Sequence, residues 1–165
     1  IAAFAPREMA FAIDTYIAKN RLVSFFLSLA RTIPIDPTSP LSTRTLINVV
    51  KGGDTLVIFP EGRITVTGSL MKIFEGPGMV ADKANAPLVP VRLEGAQYSP
   101  FSRLSGKVKI RWFPKIRVAF MPPRRLTIPP ELRSRKRRAY AGQQLSKLMT
   151  EMMFESSDFR RTLFD

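Results

Sequence analysis

The chain has 165 residues, 45% of them hydrophobic, enough for one domain with a real core and not the make-up of a disordered polymer. Lysine and arginine number 26 against 13 acidic residues, a net charge of +13, so an anionic partner is expected: nucleic acid, phospholipid headgroups or an acidic carrier protein. Cysteine and histidine are both absent, which excludes a disulfide framework, a His-containing or thiolate zinc site, and any Ser-His or Cys-His nucleophile pair within these residues.

No stretch approaches the roughly 18 consecutive apolar residues of a spanning helix. The opening Ile1 to Pro6 has neither an initiator methionine nor the basic flank of a signal peptide, and reads as an element cut in the middle. Met9 to Ile13 predicts a short buried strand ending near Asp14. Leu22, Phe25, Phe26 and Leu29 have the spacing of one helical face behind Asn20 as N-cap, packed on a sheet in preference to a membrane. Each proline in Ile33-Pro-Ile-Asp-Pro37 pushes the residue before it away from helix, so this stretch is extended.

Ser39-Pro40 reads as an N-cap followed by proline at the first helical position. Leu41, Leu46, Val49 and Val50 supply the expected buried face, although the Leu41-to-Leu46 interval fits the helical period imperfectly. Gly52-Gly53 ends that helix and Asp54 leads into a strand. The apolar run Leu56 to Phe59 then stops at Pro60. Helix, glycine stop and strand in that order are the signature of an α/β unit with parallel strands.

The residues just beyond Pro60 carry the chemistry. A strand ending there delivers Glu61 and Arg63 to the rim of the sheet, where ligands of open α/β sheets bind. Gly62 permits a tight turn or the close approach of a ligand. Arg63 offers a planar fork of donors suited to phosphate or carboxylate. An ordinary strand exit with a surface ion pair explains the pentapeptide equally well. Ile64 to Ser69 is polar and turn-rich, a loop able to cover a ligand. Glu75-Gly-Pro-Gly78 opens a helix with Met79, Val80 and Ala84 inward and Asn85 at its end. Leu88 to Leu93 is a further strand, in which Pro90 requires an edge position or a bulge.

From Arg103 onward the surface turns basic: Arg103, Lys107, Lys109, Arg111, Lys115, Arg117, Arg124 and Arg125 have no acidic residue among them. Ile116, Val118 and Phe120 alternate as in a strand with one buried face. Trp112 and Phe113 beside Arg111 and Lys115 suit a lipid interface, stacking on unpaired bases, or core positions at a strand end. The last helix is expected from Pro130-Glu131 to about Phe154. Its first half is crowded by Arg133, Arg135, Lys136, Arg137 and Arg138, against the helix dipole, and Ala141, Leu145, Leu148 and Met152 form its apolar stripe. Ser156 to Asp165 starts a new pattern.

Phe59-Pro-Glu-Gly62 resembles the third sequence block of the glycerolipid acyltransferases, the family of 1-acylglycerol-3-phosphate acyltransferases. Val89-Pro-Val91 with Glu94-Gly95 resembles the fourth block, and Ile33-Pro-Ile-Asp36 stands in the place of the second, in matching order and spacing. The longer string Ile58 to Lys72, together with Phe101-Ser-Arg-Leu104 and the Arg-Thr-Leu-Phe164 tail, is similar to one branch. That branch is the acyltransferase domain of the bifunctional 2-acylglycerophosphoethanolamine acyltransferase / acyl-(acyl carrier protein) synthetases. The resemblance implies an α/β fold: a single domain with a largely parallel mixed sheet flanked by helices. On it, residues 1–155 are a partial acyltransferase domain, and 156–165 the start of a linker to an adjoining synthetase domain.

The activity so implied is acyl transfer to the free hydroxyl of a lysophospholipid, 2-acylglycerophosphoethanolamine or similar, from an acyl carrier protein or CoA thioester. No bound cofactor and no metal is expected. The family's first block, His-x4-Asp, supplies the base that activates the acceptor hydroxyl. It would lie a short way before Ile1, so no residue here is assigned a catalytic role and these 165 residues alone are expected to be inactive. By the same matching Arg63 binds the acceptor phosphate, Glu61 orients the acceptor or the arginine, Phe59, Pro60 and Gly62 shape the loop, and Val89 and Pro90 lie near the acyl or acceptor channel. Relatives acting on lysophosphatidic acid commonly have arginine after the second-block Asp. Pro37 stands there instead, which fits a phosphodiester headgroup.

Arg103, Lys107, Lys109, Arg111, Trp112, Arg124 and Arg125 are the expected contacts to an anionic membrane or an acyl carrier protein, with a peripheral location on the cytoplasmic face of the inner membrane. Two alternatives remain: a noncatalytic anionic-lipid-binding domain and, placed last, a basic nucleic-acid-binding module.

Overall fold

Small apolar residues alternate along strand β1 (Met9–Asp14), and Ala10 and Ala12 on its inner face are 2% and 6% exposed. In this computed structural model, which describes residues 9–15, 31–36, 39–63, 69–100, 102, 104 and 106–158, β1 is the middle strand of a three-stranded parallel sheet. It pairs with β2 (Arg31–Ile35) on one side and β3 (Thr55–Val57) on the other. Pro34 sits in β2, an edge strand of this sheet, where a missing donor is tolerated. The expected helix around Leu22 to Leu29, Pro37, the loop 64–68, Arg103 and the tail 159–165 lie outside the described residues.

Helix α1 (Pro40–Lys51) joins β2 to β3. The Ser39 hydroxyl accepts the Leu41 N–H at 3.3 Å and Pro40 occupies the first turn, as expected. Leu46 is 5% exposed and packs with Ala12 and Val80, flanked by Ile47, Val50, Leu56 and Ile58. Leu41, expected on the buried face, is 69% exposed. Five residues at about 100° each place it well round the cylinder from Leu46, which is the imperfect interval seen in the sequence. Gly52 and Gly53, the latter at φ +94°, end the helix.

Helix α2 (Glu75–Ala84) buries Gly78, Val80 and Ala81, whereas the expected Met79 and Ala84 are half-buried at the margins. Asn85 ends it in the left-handed region at φ 50°. The strand expected over Leu88 to Leu93 is shorter and is paired antiparallel: β4 (Val91–Glu94) lies against β5 (Arg117–Phe120). Leu88 and Arg124 exchange backbone bonds of 2.7 and 2.8 Å, and between that bridge and β4 the Pro90 carbonyl accepts from Met121 N–H at 3.0 Å. Pro90, with no donor of its own, interrupts regular pairing there.

The face expected to be buried on β5 is open instead. Ile116, Val118 and Phe120 are 55%, 37% and 62% exposed. A two-stranded sheet has two faces, and the opposite one is turned to the protein: Arg92 donates to the Met153 carbonyl and pairs with Glu94.

Helix α3 (Ser134–Asp158) starts later than expected and ends later than Phe154. A turn closed by Leu132 N–H on the Pro129 carbonyl precedes it, and Ser134 adopts φ 47° to redirect the chain. Its stripe is buried as the spacing predicts: Ala141, Leu145, Leu148 and Met152 are all 7% exposed or less. Leu145, Met149 and Met152 pack with Leu70, Ile73, Leu88 and Met121. Against α2 the approach is backbone-close, since a Cβ on Gly78 would lie 2.6 Å from the Ala141 carbonyl oxygen and one on Gly142 would lie 2.8 Å from Glu75 Cγ. Asp82, with a side chain 7% exposed, takes both prongs of Arg137 at 2.7 Å across the same helix pair. The Asp82 hydrogen bond is the main reason the Arg137 guanidinium is held above its ordinary pKa. The result is a mixed α/β domain with a parallel sheet flanked by helices.

Candidate functional site at the carboxyl rim of the parallel sheet

The register aligns the carboxyl ends of all three parallel strands on one edge: Asp14 opposes Ile35, and Val57 opposes Phe11. The segment after β3 emerges there. Ile58 still belongs to the core under α1, while Phe59 is 51% exposed. Gly62 N–H closes a turn on the Phe59 carbonyl at 3.1 Å. Gly62 takes φ +60°, and a Cβ there would lie 3.3 Å from the Phe74 ring. The glycine therefore answers two demands at once, handedness and space.

The returning strand of the loop is tied to this turn at two points. Glu61 Oε2 accepts the Met71 N–H at 3.0 Å, and the Pro60 carbonyl accepts the Phe74 N–H at 2.9 Å. Glu61 thus holds loop backbone with the carboxylate expected to orient a ligand or an arginine. Lys72 Nζ stands 5.5 Å from the centroid of the Phe74 ring. Arg63 is exposed immediately after the turn. Phe59 to Gly62 is accordingly a braced turn at the sheet rim, with the exposed Arg63 directly after it and Lys72 on the returning side.

Phe74, Lys72 and the Met71 amide were not legible as site components. Nothing in their spacing marks them, because their role comes from a contact across the loop.

Val89 and Pro90 join this platform only through the core. Pro90 is buried and Val89 is 48% exposed, and their neighbour Leu88 packs on the same α3 cluster as Leu70 and Ile73 of the returning strand. The basic residues divide. Lys107, Lys109 and Arg111 are exposed, as is Trp112 at 81%. Arg124 bridges Leu88 through its backbone, and Arg125 turns back to donate to Asn85, at 3.0 Å to Oδ1 and also to the carbonyl that ends α2.

Residues 1–94, more than half of the chain, match the acyltransferase family. The chain belongs to the acyltransferase family. The platform and the parallel sheet that carries it both fall within the matched span. Among named relatives, the 1-acyl-sn-glycerol-3-phosphate acyltransferase of Bacillus subtilis (strain 168) is 27% identical over 107 residues, covering 64% of this chain and 53% of its own length. Among solved structures, the 1-acyl-sn-glycerophosphate (LPA) acyltransferase PlsC from Thermotoga maritima superposes with a TM-score of 0.53 at 20% identity, covering 87% of this chain and 56% of that one. This likeness establishes the fold. The acyltransferase chain thus spans about half the length of both relatives.

Proposed function

We propose that this acyltransferase chain is the acceptor-holding part of a lysophospholipid O-acyltransferase. The acceptor is 2-acylglycerophosphoethanolamine or a similar phosphodiester, and the donor is the thioester of acyl carrier protein or CoA. The observation behind the reading is the braced Phe59–Gly62 turn, which sets the exposed Arg63 directly after it at the strand rim of a chain in the acyltransferase family. A guanidinium binds a phosphate through paired, charge-assisted hydrogen bonds, and a turn fixed beforehand loses little entropy in doing so. In the reaction the acceptor hydroxyl oxygen forms the new ester bond to the acyl carbon. The carbon–sulfur bond breaks, and the hydroxyl proton ends on the departing thiol. The chain has no histidine to take that proton. None of these residues is assigned that role. Pro37, where an arginine would add a second cation, supports a headgroup of single charge.

The test is an acyl-transfer assay on the full-length gene product, offering lysophosphatidylethanolamine, lysophosphatidylglycerol and lysophosphatidic acid with either donor. Arg63→Ala is expected to raise KM for the acceptor by about ten- to a hundredfold, the range of a lost charged hydrogen bond, with kcat less affected. Pro37→Arg should shift preference toward the monoester acceptor. An unchanged KM in the Arg63 variant would overturn the assignment. The lack of histidine favours a second reading, a lipid-binding domain without turnover, and saturable lysolipid binding without acyl transfer by the full-length product would establish it.

A further inference from the structure

The most exposed large apolar residues of the described chain are Trp112 and Phe113, at 81% and 97%. They occupy a short excursion with both ends fixed. On one side Arg111 N–H donates to the Tyr98 carbonyl at 2.7 Å. On the other, the Lys115 carbonyl lies so close to Gly95 that a Cβ there would fall 2.0 Å from it. Gly95 itself, at φ +89°, has a backbone shape that other residues rarely adopt. Trp112, Phe113 and Pro114 therefore project from a braced base and not from a loose loop.

The apolar surface continues down the β4–β5 sheet. Leu93 is paired with Val118 and Val91 with Phe120, so their side chains share a face, and strand alternation adds Ile116. Leu93 is 43% exposed, and Ile116, Val118 and Phe120 are open on the same side. The adjoining chain carries the exposed Lys107, Lys109, Arg111 and Lys115, and no acidic residue occurs in the sequence between Glu94 and Glu131. The protein thus shows an aromatic tip, an aliphatic flank and, on the chain running through the tip, exposed charges of one sign.

We infer that the Arg111–Lys115 excursion is a preformed wedge that seats Trp112 and Phe113 in the headgroup region of an anionic phospholipid bilayer, with the surrounding lysines and arginines on lipid phosphates. Aromatic rings settle at the interface of a bilayer, and basic residues near them add attraction to an anionic leaflet. The aliphatic flank decides against unpaired bases. Leu93, Val118 and Ile116 have no π-face to stack and no donor to offer a base, whereas acyl chains accept them. No described helix is long and apolar enough to cross a membrane. The inference rests on this surface alone and does not depend on the acyl-transfer reading.

The chain contains one tryptophan, so Trp112 reports on its own environment. Its emission in the full chain should shift to the blue on vesicles of phosphatidylglycerol and phosphatidylethanolamine, and should be quenched by brominated acyl chains. The response should weaken on neutral phosphatidylcholine vesicles and at high salt. Phe113→Ser is expected to lower the partition coefficient roughly tenfold, and Arg111→Gln with Lys115→Gln by about tenfold or more, with the circular dichroism of both variants unchanged. Vesicle binding with Trp112 emission unmoved would place the contact elsewhere and overturn the proposal. So would an emission shift produced by a single-stranded oligonucleotide, by an acidic acyl carrier protein or by raising the protein concentration, with none on vesicles.

Discussion

Glu61 and Met71 are ten positions apart in the chain and one hydrogen bond apart in space: the carboxylate accepts the Met71 amide at 3.0 Å. That bond makes a platform of the rim turn, because it ties the outgoing and returning strands of the loop. Glu61→Ala leaves the amide without this acceptor. Hydrogen exchange at Met71 should quicken by about tenfold or more, and the protein should lose about 1–3 kcal/mol of stability in urea titration, the range for a bond to a charged group. Glu61→Gln keeps a carbonyl acceptor and should lose less.

Gly62 lies at φ +60° with the Phe74 ring 3.3 Å from where a side chain would begin. Gly62→Ala should cost about 1–2 kcal/mol through backbone strain, with the ring displaced. Gly53, at φ +94° and in open space, has strain without a steric neighbour: Gly53→Ala should also cost stability in the same titration, but without displacing the Phe74 ring.

Two glycines of α2 provide a matched comparison. At Gly78 a Cβ would meet the Ala141 carbonyl oxygen at 2.6 Å, whereas at Gly76 it would meet nothing within 4 Å. Gly76→Ala should be close to neutral, because the gain in helix propensity is set against the restriction that Pro77 places on a Cβ before it. Gly78→Ala gains the same propensity, yet must separate α2 from α3, and should be destabilising by about 1–3 kcal/mol. A thermal unfolding midpoint that falls clearly for Gly78→Ala and little for Gly76→Ala would show that the packing of this helix pair is set by backbone contact.

Asp82 and Arg137 make the bidentate pair beside that crossing, whereas Lys147 and Glu151 form a looser one at 3.9 Å along the exposed side of α3. Double-mutant cycles on both should return a clearly larger coupling for Asp82–Arg137, because its carboxylate is shielded from water and its geometry is two-pronged. Asp82→Asn should lower the melting midpoint more than Glu151→Gln. The coupling should persist at high salt for the first pair and fade for the second.

Much of the frame was legible because local chemistry dictates it. Ser39-Pro40 starts a helix wherever it is placed, two glycines stop it, and the period of Ala141, Leu145, Leu148 and Met152 gives a helix one apolar side. The run Leu56 to Phe59 likewise announced a strand that ends at a rim, although β3 stops at Val57, short of the proline. Alternation at Ile116, Val118 and Phe120 correctly announced a strand, but its burial did not follow. Whether a sheet face is covered depends on what lies across from it, and the residue of this sheet that reaches α3, Arg92, is on the opposite face.

Residue order alone determined the parallel α/β plan, the exit of Glu61 and Arg63 at a strand tip, and the excess of positive charge, since each follows from near-neighbour sterics, periodicity and a count of ionic groups. Only the tertiary structure decided that Glu61 braces backbone, that Phe74 sits against Gly62, and that Trp112 and Phe113 stand clear of the core. Each of those depends on which distant segment arrives within a few ångströms, and contacts between segments are made by the packing of the whole chain.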